Sequence, residues 1–257
     1  MNMALESYIR AKRKEKEILL MTHIVLGYPS FEDCFKIIET MVGAGVDLME
    51  LQIPFSEPIA DGPMILKANQ VALERGVTVR ECLDFAGEVV HSFEIPFLFM
   101  TYYNILFKHG VKQFVTDMAD NGLRGAIVPD LPPEEAKEYL TAMRSKGLAP
   151  IFIFSPATTE KRMRYITSFA RGFIYCVARK GVTGAKTTFS DNLTEYLRWC
   201  RRVTSLPLAT GFGVKEKKDI NFLKGKTDIA IVGTQNIRIV EYRGIKALGE
   251  FIRSLLE

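Results

Sequence analysis

The chain has 257 residues, of which 47% are hydrophobic and 25% charged, and a formal net charge of +4 at pH 7. This is ordinary globular composition with ample material for one large core, at a length common for a single α/β barrel. The mild positive charge suits an anionic small molecule, and the chain lacks the basic stripe with interleaved aromatics that nucleic-acid binding calls for.

The opening stretch, MNMALESYIRAKRKEKEILL, is charged and helical and does not read as a signal peptide. A helix is expected over Met1–Lys16, ahead of the first strand and covering the barrel floor. From there a unit repeats: a short apolar run ends in Gly, Pro or Asp, and an amphipathic helical stretch of about ten to fifteen residues follows. The predicted strands are Leu19–Leu26, Leu48–Ile53, Pro96–Thr101, Gly125–Val128, Pro150–Phe154, Gly172–Val177, Leu206–Thr210 and Ile229–Val232. Between them lie helical patterns such as FEDCFKIIETMVGAG, VKQFVTDMADNG, EEAKEYLTAMRSKG and LTEYLRWCRRV, several closing on Gly. The basic stretch Lys161, Arg162 and Arg164 falls in such a helix and reads as a solvated face.

Strands apolar throughout, not alternating, belong to a parallel sheet covered on both faces. Eight of them predict a single (β/α)8 TIM barrel over residues 1–257 with an extra N-terminal helix. A doubly wound open sheet is the runner-up, but no GxGxxG follows the first strand. No apolar run reaches the roughly 18 residues that span a bilayer. Cys34, Cys82, Cys176 and Cys200 form no CxxC pair and read as buried reduced thiols of a cytoplasmic protein. His23, His91 and His109 show no metal-ligand spacing, so no metal site is expected.

In such barrels the chemistry sits at the C-terminal strand ends. After the second strand the chain reads MELQIPFSEPIADGP. Glu50 lies inside the apolar run, where an acid is costly to bury unless it is used or paired. Desolvation favours the neutral form of a buried carboxyl, which makes this glutamate a general acid/base candidate; the alternative is a buried salt-bridge partner or a cap. Asp61, followed by Gly62 and Pro63, reads by itself as a helix N-cap with Pro just inside. The last three strands run into ARKGVTGAK, TGFGV and VGTQN, whose glycines let backbone N–H groups approach an anion such as phosphate. Tyr102, Tyr103, Asn104 and Tyr175 are close enough to strand ends to face the site, with core packing as the default for the tyrosines. Asp130, in PDLPPEE, is expected to shape the turn before the fourth barrel helix.

The motifs MELQIPFSEPIADGP, MTYYNILF, VPDLPPEE, GFIYCVARKGVTGAK, LPLATGFGV and IVGTQN, in this order over nearly the whole chain, resemble the α subunit of tryptophan synthase. The resemblance implies a carbon–carbon lyase that cleaves indole-3-glycerol phosphate to indole and glyceraldehyde 3-phosphate. It implies no cofactor in this chain, pyridoxal phosphate being expected only in a β subunit that receives the indole, in an α2β2 assembly. By the same resemblance Glu50 is the catalytic acid/base. Asp61 changes from cap to the catalytic carboxylate that stabilises charge on the indole nitrogen. Tyr175, Thr183 and Phe212 are implied to bind substrate, Thr183 from a closing loop, while Gly184, Gly213, Gly233 and Thr234 are implied to cradle the phosphate. The chain departs from the family pattern at Gln52, usually Gly, at Glu57, usually Asp, at Ile105, usually Pro, and at Thr234-Gln235, usually Ser-Ala. Gln52 either narrows the indole pocket or points outward. The loops with Glu57 and Ile105 are implied to face the β subunit, so changes there imply altered coupling. The alternatives are a non-catalytic allosteric subunit of the same complex and, more remotely, a sugar-phosphate epimerase or isomerase.

Overall fold

The computed structural model describes residues 4–59, 61–177, 191–211 and 213–257. In chain order the elements are α1 (Leu5–Lys12), β1 (Leu19–Val25), α2 (Phe31–Gly43), β2 (Leu48–Gln52), α3 (Pro63–Glu74), α4 (Val79–Ser92) and β3 (Phe97–Met100). Then come α5 (Tyr103–His109), α6 (Val111–Asp120), β4 (Gly125–Ile127), α7 (Lys137–Ser145), β5 (Ala149–Phe154), α8 (Glu160–Phe169) and β6 (Ile174–Val177). The chain finishes with α9 (Asp191–Val203), β7 (Leu208–Gly211), α10 (Lys217–Leu223), β8 (Ile229–Val232) and α11 (Thr234–Leu256). All strand pairs are parallel, in the closed order β1 to β8 with β8 back on β1. Closure excludes the open doubly wound sheet, and each predicted strand overlaps an observed one.

Strand residues alternate between two apolar environments, which is why the runs look continuous in sequence. One set, including Leu20, Ile24, Met49, Leu51, Phe97, Phe99, Ala126, Phe152, Phe154, Ile174, Leu208 and Ala230, packs outward under the helices. The other set, including Leu19, Met21, Leu48, Leu98, Ile127, Ile151, Phe173, Ala209, Ile229 and Ile231, fills the barrel interior. Parity then dictates where the polar strand residues go. His23 follows Leu19 and Met21 on the inner face of β1, while Glu50 and Gln52 follow Leu48 on that of β2. Register sets His23 opposite Glu50 and Val25 opposite Gln52. The interior is therefore apolar at its floor and polar at its C-terminal mouth.

The floor is closed from below. Leu5 and Ile9 of α1 join the inner cluster, and Tyr8 donates to the Asp47 carbonyl at 3.1 Å. Gly172 makes room for this plug, since a Cβ there would lie 2.9 Å from Leu5 Cδ2. The helix is shorter than the Met1–Lys16 expectation: residues 1–3 are outside the described set, and α1 ends at Lys12. Beyond Ile9 the sequence RAKRKEKE offers no large apolar side chain to bury, so nothing extends the helix across the floor. Asp228 anchors the same face, accepting the Leu208 N–H at 2.8 Å and pairing with Arg13 and Arg201.

Replacing Ile9, fully buried in this plug, by alanine should destabilise the protein by about 2–5 kcal/mol. The check is the urea midpoint, falling with an unchanged m-value. A loss under about 0.5 kcal/mol, the scale of surface substitutions, would show that α1 does not pack as a plug in solution.

Candidate active site

At the mouth of the barrel, Glu50 is 3% exposed and its Oε1 lies 3.0 Å from Nδ1 of His23, itself 3% exposed. Two residues along the same inner face, Gln52 is fully buried. Its Nε2 donates to Asp61 Oδ2 at 2.8 Å and, more weakly, to Asn69 Oδ1 at 3.4 Å. The orientation of that amide is dictated by its neighbours. Asn69 Oδ1 accepts the backbone N–H of Phe55 at 2.9 Å, so it is an oxygen. A group facing both this oxygen and a carboxylate must be the NH2 end of the glutamine. Gln52 thus does not point outward; it holds Asp61 at the edge of the site.

Asp61 is half-buried, and the hydroxyl of Tyr102 lies 3.5 Å from the same Oδ2. The Tyr102 ring stacks on Phe55 with centroids 4.7 Å apart, so packing aims the hydroxyl at the carboxylate. The cap reading of Asp61 is overturned: Gly62 is the N-cap of α3, without a side-chain cap, and Pro63 opens the helix. Asp130 lies in the expected turn, closed by the Leu131 N–H to the Val128 carbonyl at 3.2 Å, and its carboxylate also accepts the Tyr103 N–H at 2.9 and 3.1 Å, so it caps α5 from across a neighbouring loop.

Tyr175 rises from the inner face of β6, over Gly211 of β7. A Cβ at Gly211 would lie 2.9 Å from the phenol oxygen, so only glycine leaves the ring its place. Although half-buried by surface, the phenol is ringed by protein: burial foremost, then the charges of Glu50 and Asp61, hold it well above its usual range. The His23 imidazole feels opposing forces. Burial, the largest, pushes it down. The hydrogen bond and charge of Glu50, the charge of Asp61 and the amide of Gln52 together outweigh burial and hold it above its ordinary value.

The loops after β7 and β8 are neighbours because those strands pair. Gly213 adopts φ +93°, a left-handed conformation that suits glycine. Gly233 precedes α11, which Thr234 opens without a side-chain cap, and its Cα side approaches His23, a Cβ there lying 3.5 Å from His23 Cβ. An uncapped helix N-terminus beside the barrel mouth is a physical match for a phosphate. Thr183, Gly184 and Phe212 lie outside the described residues. Among the described residues no group of three His, Cys, Asp or Glu side chains could hold a metal ion.

Sequence reasoning passed over His23 and the role of Gln52. The signal was parity: both fall on the same inward phase as Glu50, in otherwise apolar runs.

A family model described as Tryptophan synthase alpha chain matches residues 9–251. The chain belongs to the tryptophan synthase alpha chain family. A curated alpha chain of this family from Desulforapulum autotrophicum is 62% identical over 251 residues, covering 98% of this chain and 99% of that one. One from Syntrophotalea carbinolica is 62% identical over the same coverage. Among solved structures, Mycobacterium tuberculosis tryptophan synthase superposes with a TM-score of 0.92 at 29% identity, covering 98% of this chain and 96% of that one. The tryptophan synthase complex from Pyrococcus furiosus gives 0.85 at 27% identity, covering 93% and 97%.

The raised His23 has a consequence for stability. A histidine held above its unfolded value, ~6.5, contributes stability that is fully present below that pH. The contribution is lost as pH rises through the folded value. His23→Phe keeps the aromatic volume and removes the titration. The stability difference between wild type and this variant, from urea unfolding at a series of pH values, should therefore fall as pH rises from about 6 toward alkaline. A difference independent of pH would show that His23 titrates alike in the folded and unfolded states, and one that rises with pH would show that the folded ring is neutral.

Proposed function

We propose that this family member is the lyase component of tryptophan biosynthesis, cleaving indole-3-glycerol phosphate to indole and glyceraldehyde 3-phosphate, with Glu50 and Asp61 as its catalytic pair. The observation that carries the reading is the placement of two carboxylates at the mouth of one barrel, both within electrostatic reach of the same imidazole and the same phenol.

The chemistry follows from what the bond demands. The bond from indole C3 to the hydroxyl-bearing carbon breaks only if C3 can leave as part of a neutral ring. Protonated Glu50 gives C3 a proton, which leaves positive charge on the ring nitrogen. Asp61 accepts the hydrogen bond of that N–H and stabilises the charge. The Glu50 carboxylate then takes the proton of the adjacent hydroxyl. As the carbon–carbon bond breaks, its electron pair returns to the ring, restoring aromatic indole, and the hydroxyl-bearing carbon becomes the aldehyde. The proton taken from the hydroxyl replaces the one given to C3, so the site returns to its starting state. Proton transfer by positioned side chains accounts for the step, and the reading assigns this chain no cofactor. Gly213, Gly233, Thr234 and the start of α11 are assigned to the phosphate, with Gly184, and Tyr175 to the substrate beside Glu50. Thr183 and Phe212 keep the substrate-binding roles their motifs imply.

A β subunit carrying pyridoxal phosphate, in an α2β2 assembly, is the partner in this reading. Ile59 and Phe107 support it: both are large, apolar and about two-thirds exposed, and they lie on the loop and helix that follow β2 and β3, beside Glu57 and Ile105. No described helix is long and apolar enough to cross a membrane. A cytoplasmic setting is part of the proposal.

The test is steady-state indole release from indole-3-glycerol phosphate. Glu50→Gln and Asp61→Asn should each lower the rate by about 10² to 10⁴, with retained thermal stability as the control. Wild-type rates in both variants would refute the assignment of the pair.

A further inference from the structure

The mechanism above uses Glu50 and Asp61 and leaves His23 unexplained. An imidazole inside a barrel is an expensive way to fill space, since each ring nitrogen must find a partner or bear the cost of desolvation. His23 meets Glu50 through Nδ1, while its Nε2 has no hydrogen-bond partner among the described residues. Two further buried atoms on the same inner face are in the same position: Glu50 Oε2, whose carboxylate already meets Nδ1 through Oε1, and Gln52 Oε1. Nε2 and Gln52 Oε1 are complementary. Because Nδ1 faces a carboxylate oxygen it carries hydrogen, so a neutral ring would leave Nε2 as an acceptor facing another acceptor. A protonated ring makes Nε2 a donor, and Gln52 Oε1 is an acceptor whose orientation is already dictated by Asp61 and Asn69. The two atoms do not form a hydrogen bond in this structure, yet the amide already contributes to holding the imidazole charged.

We propose that His23 and Gln52 are positioning residues that join the two carboxylates into one buried polar chain, Glu50–His23–Gln52–Asp61, with a protonated imidazole at its centre. This rests on the catalytic assignment of Glu50 and Asp61 above. In the resting site the proton destined for indole C3 is held on His23 Nδ1, 3.0 Å from Glu50 Oε1. It moves to Glu50 and then to C3; the proton later taken from the substrate hydroxyl returns through Glu50 to Nδ1, so the cycle closes. Gln52 ties the same charge to the carboxylate that meets the indole nitrogen, so both catalytic groups are oriented before substrate enters. The groups that face His23 are Glu50 and Gln52 of β2, Asp61 of the following loop and Gly233 before α11. Tyr175 of β6 faces the same carboxylates.

The experiment combines kinetics with a direct reading of the ring. In wild type, the NMR titration of His23, assigned by its absence in His23→Asn, should show a midpoint above the ordinary ~6.5. Glu50→Gln and Gln52→Leu should each lower it. His23→Phe should reduce kcat roughly tenfold or more with KM changed less than about threefold, and should abolish the alkaline limb that His23 deprotonation gives the wild-type pH profile. His23→Asn, which keeps a donor toward Glu50 without the charge, should recover part of kcat and none of that limb. If His23→Phe does not fold, the His23→Asn profile and the wild-type titration decide. The proposal is overturned if the His23 ring is neutral at pH ~6.5 in wild type, or if His23 variants keep both the wild-type kcat and the alkaline limb while Glu50→Gln is inactive. Full activity in Glu50→Gln would instead remove the catalytic reading on which the proposal stands.

Discussion

Glu50 sits in the interior of a closed barrel, where a carboxylate without partners would cost several kcal/mol. Its hydrogen bond to His23 offsets that cost, and much of the mouth of the barrel is arranged around it. The pairing exists because parallel register sets the two residues side by side on the same inward phase. Glu50 and its neighbours then account for much else: Tyr175 needs the space that Gly211 leaves, and Gln52 needs Asn69 to orient it so that it can reach Asp61.

Stability and chemistry occupy opposite ends of the same interior. The lower layers are apolar and closed by Leu5 and Ile9, which gives the strands a rigid base. The upper layer can then carry several polar groups that add little to packing but must be held in place. The loops add the rest by capping and stacking across from one element to another. Asp130 caps α5, and Phe55 stacks on Tyr102, whose hydroxyl approaches Asp61. None of these contacts is between sequence neighbours.

Gln52 illustrates how a departure from a family pattern should be read. As a single letter beside Glu50, it looks like an obstruction in the substrate pocket. In three dimensions it supplies a donor to Asp61, and with His23 it adds a polar group on each side of the two carboxylates. The two polar side chains become intelligible as a pair, His23 engaging Glu50 and Gln52 engaging Asp61.

The eight strands and their parallel pairing were legible in the sequence, and the candidate site was sought at their C-terminal ends on that ground. They follow from local hydrophobic pattern and the limited ways such units can close. Glu50 was legible too, as an acid in an apolar run, and the family motifs pointed to Asp61 and the glycine loops. Three things were decided by the tertiary structure. Asp61 is turned to Gln52 and Tyr102 and not to the start of α3, His23 is the partner of Glu50, and Asp130 serves a helix from another unit of the barrel. Each depends on register or loop packing between segments separated in sequence. A side chain's partner is set by which strand lies beside it and which way each residue faces, and local pattern carries the second of these but not the first.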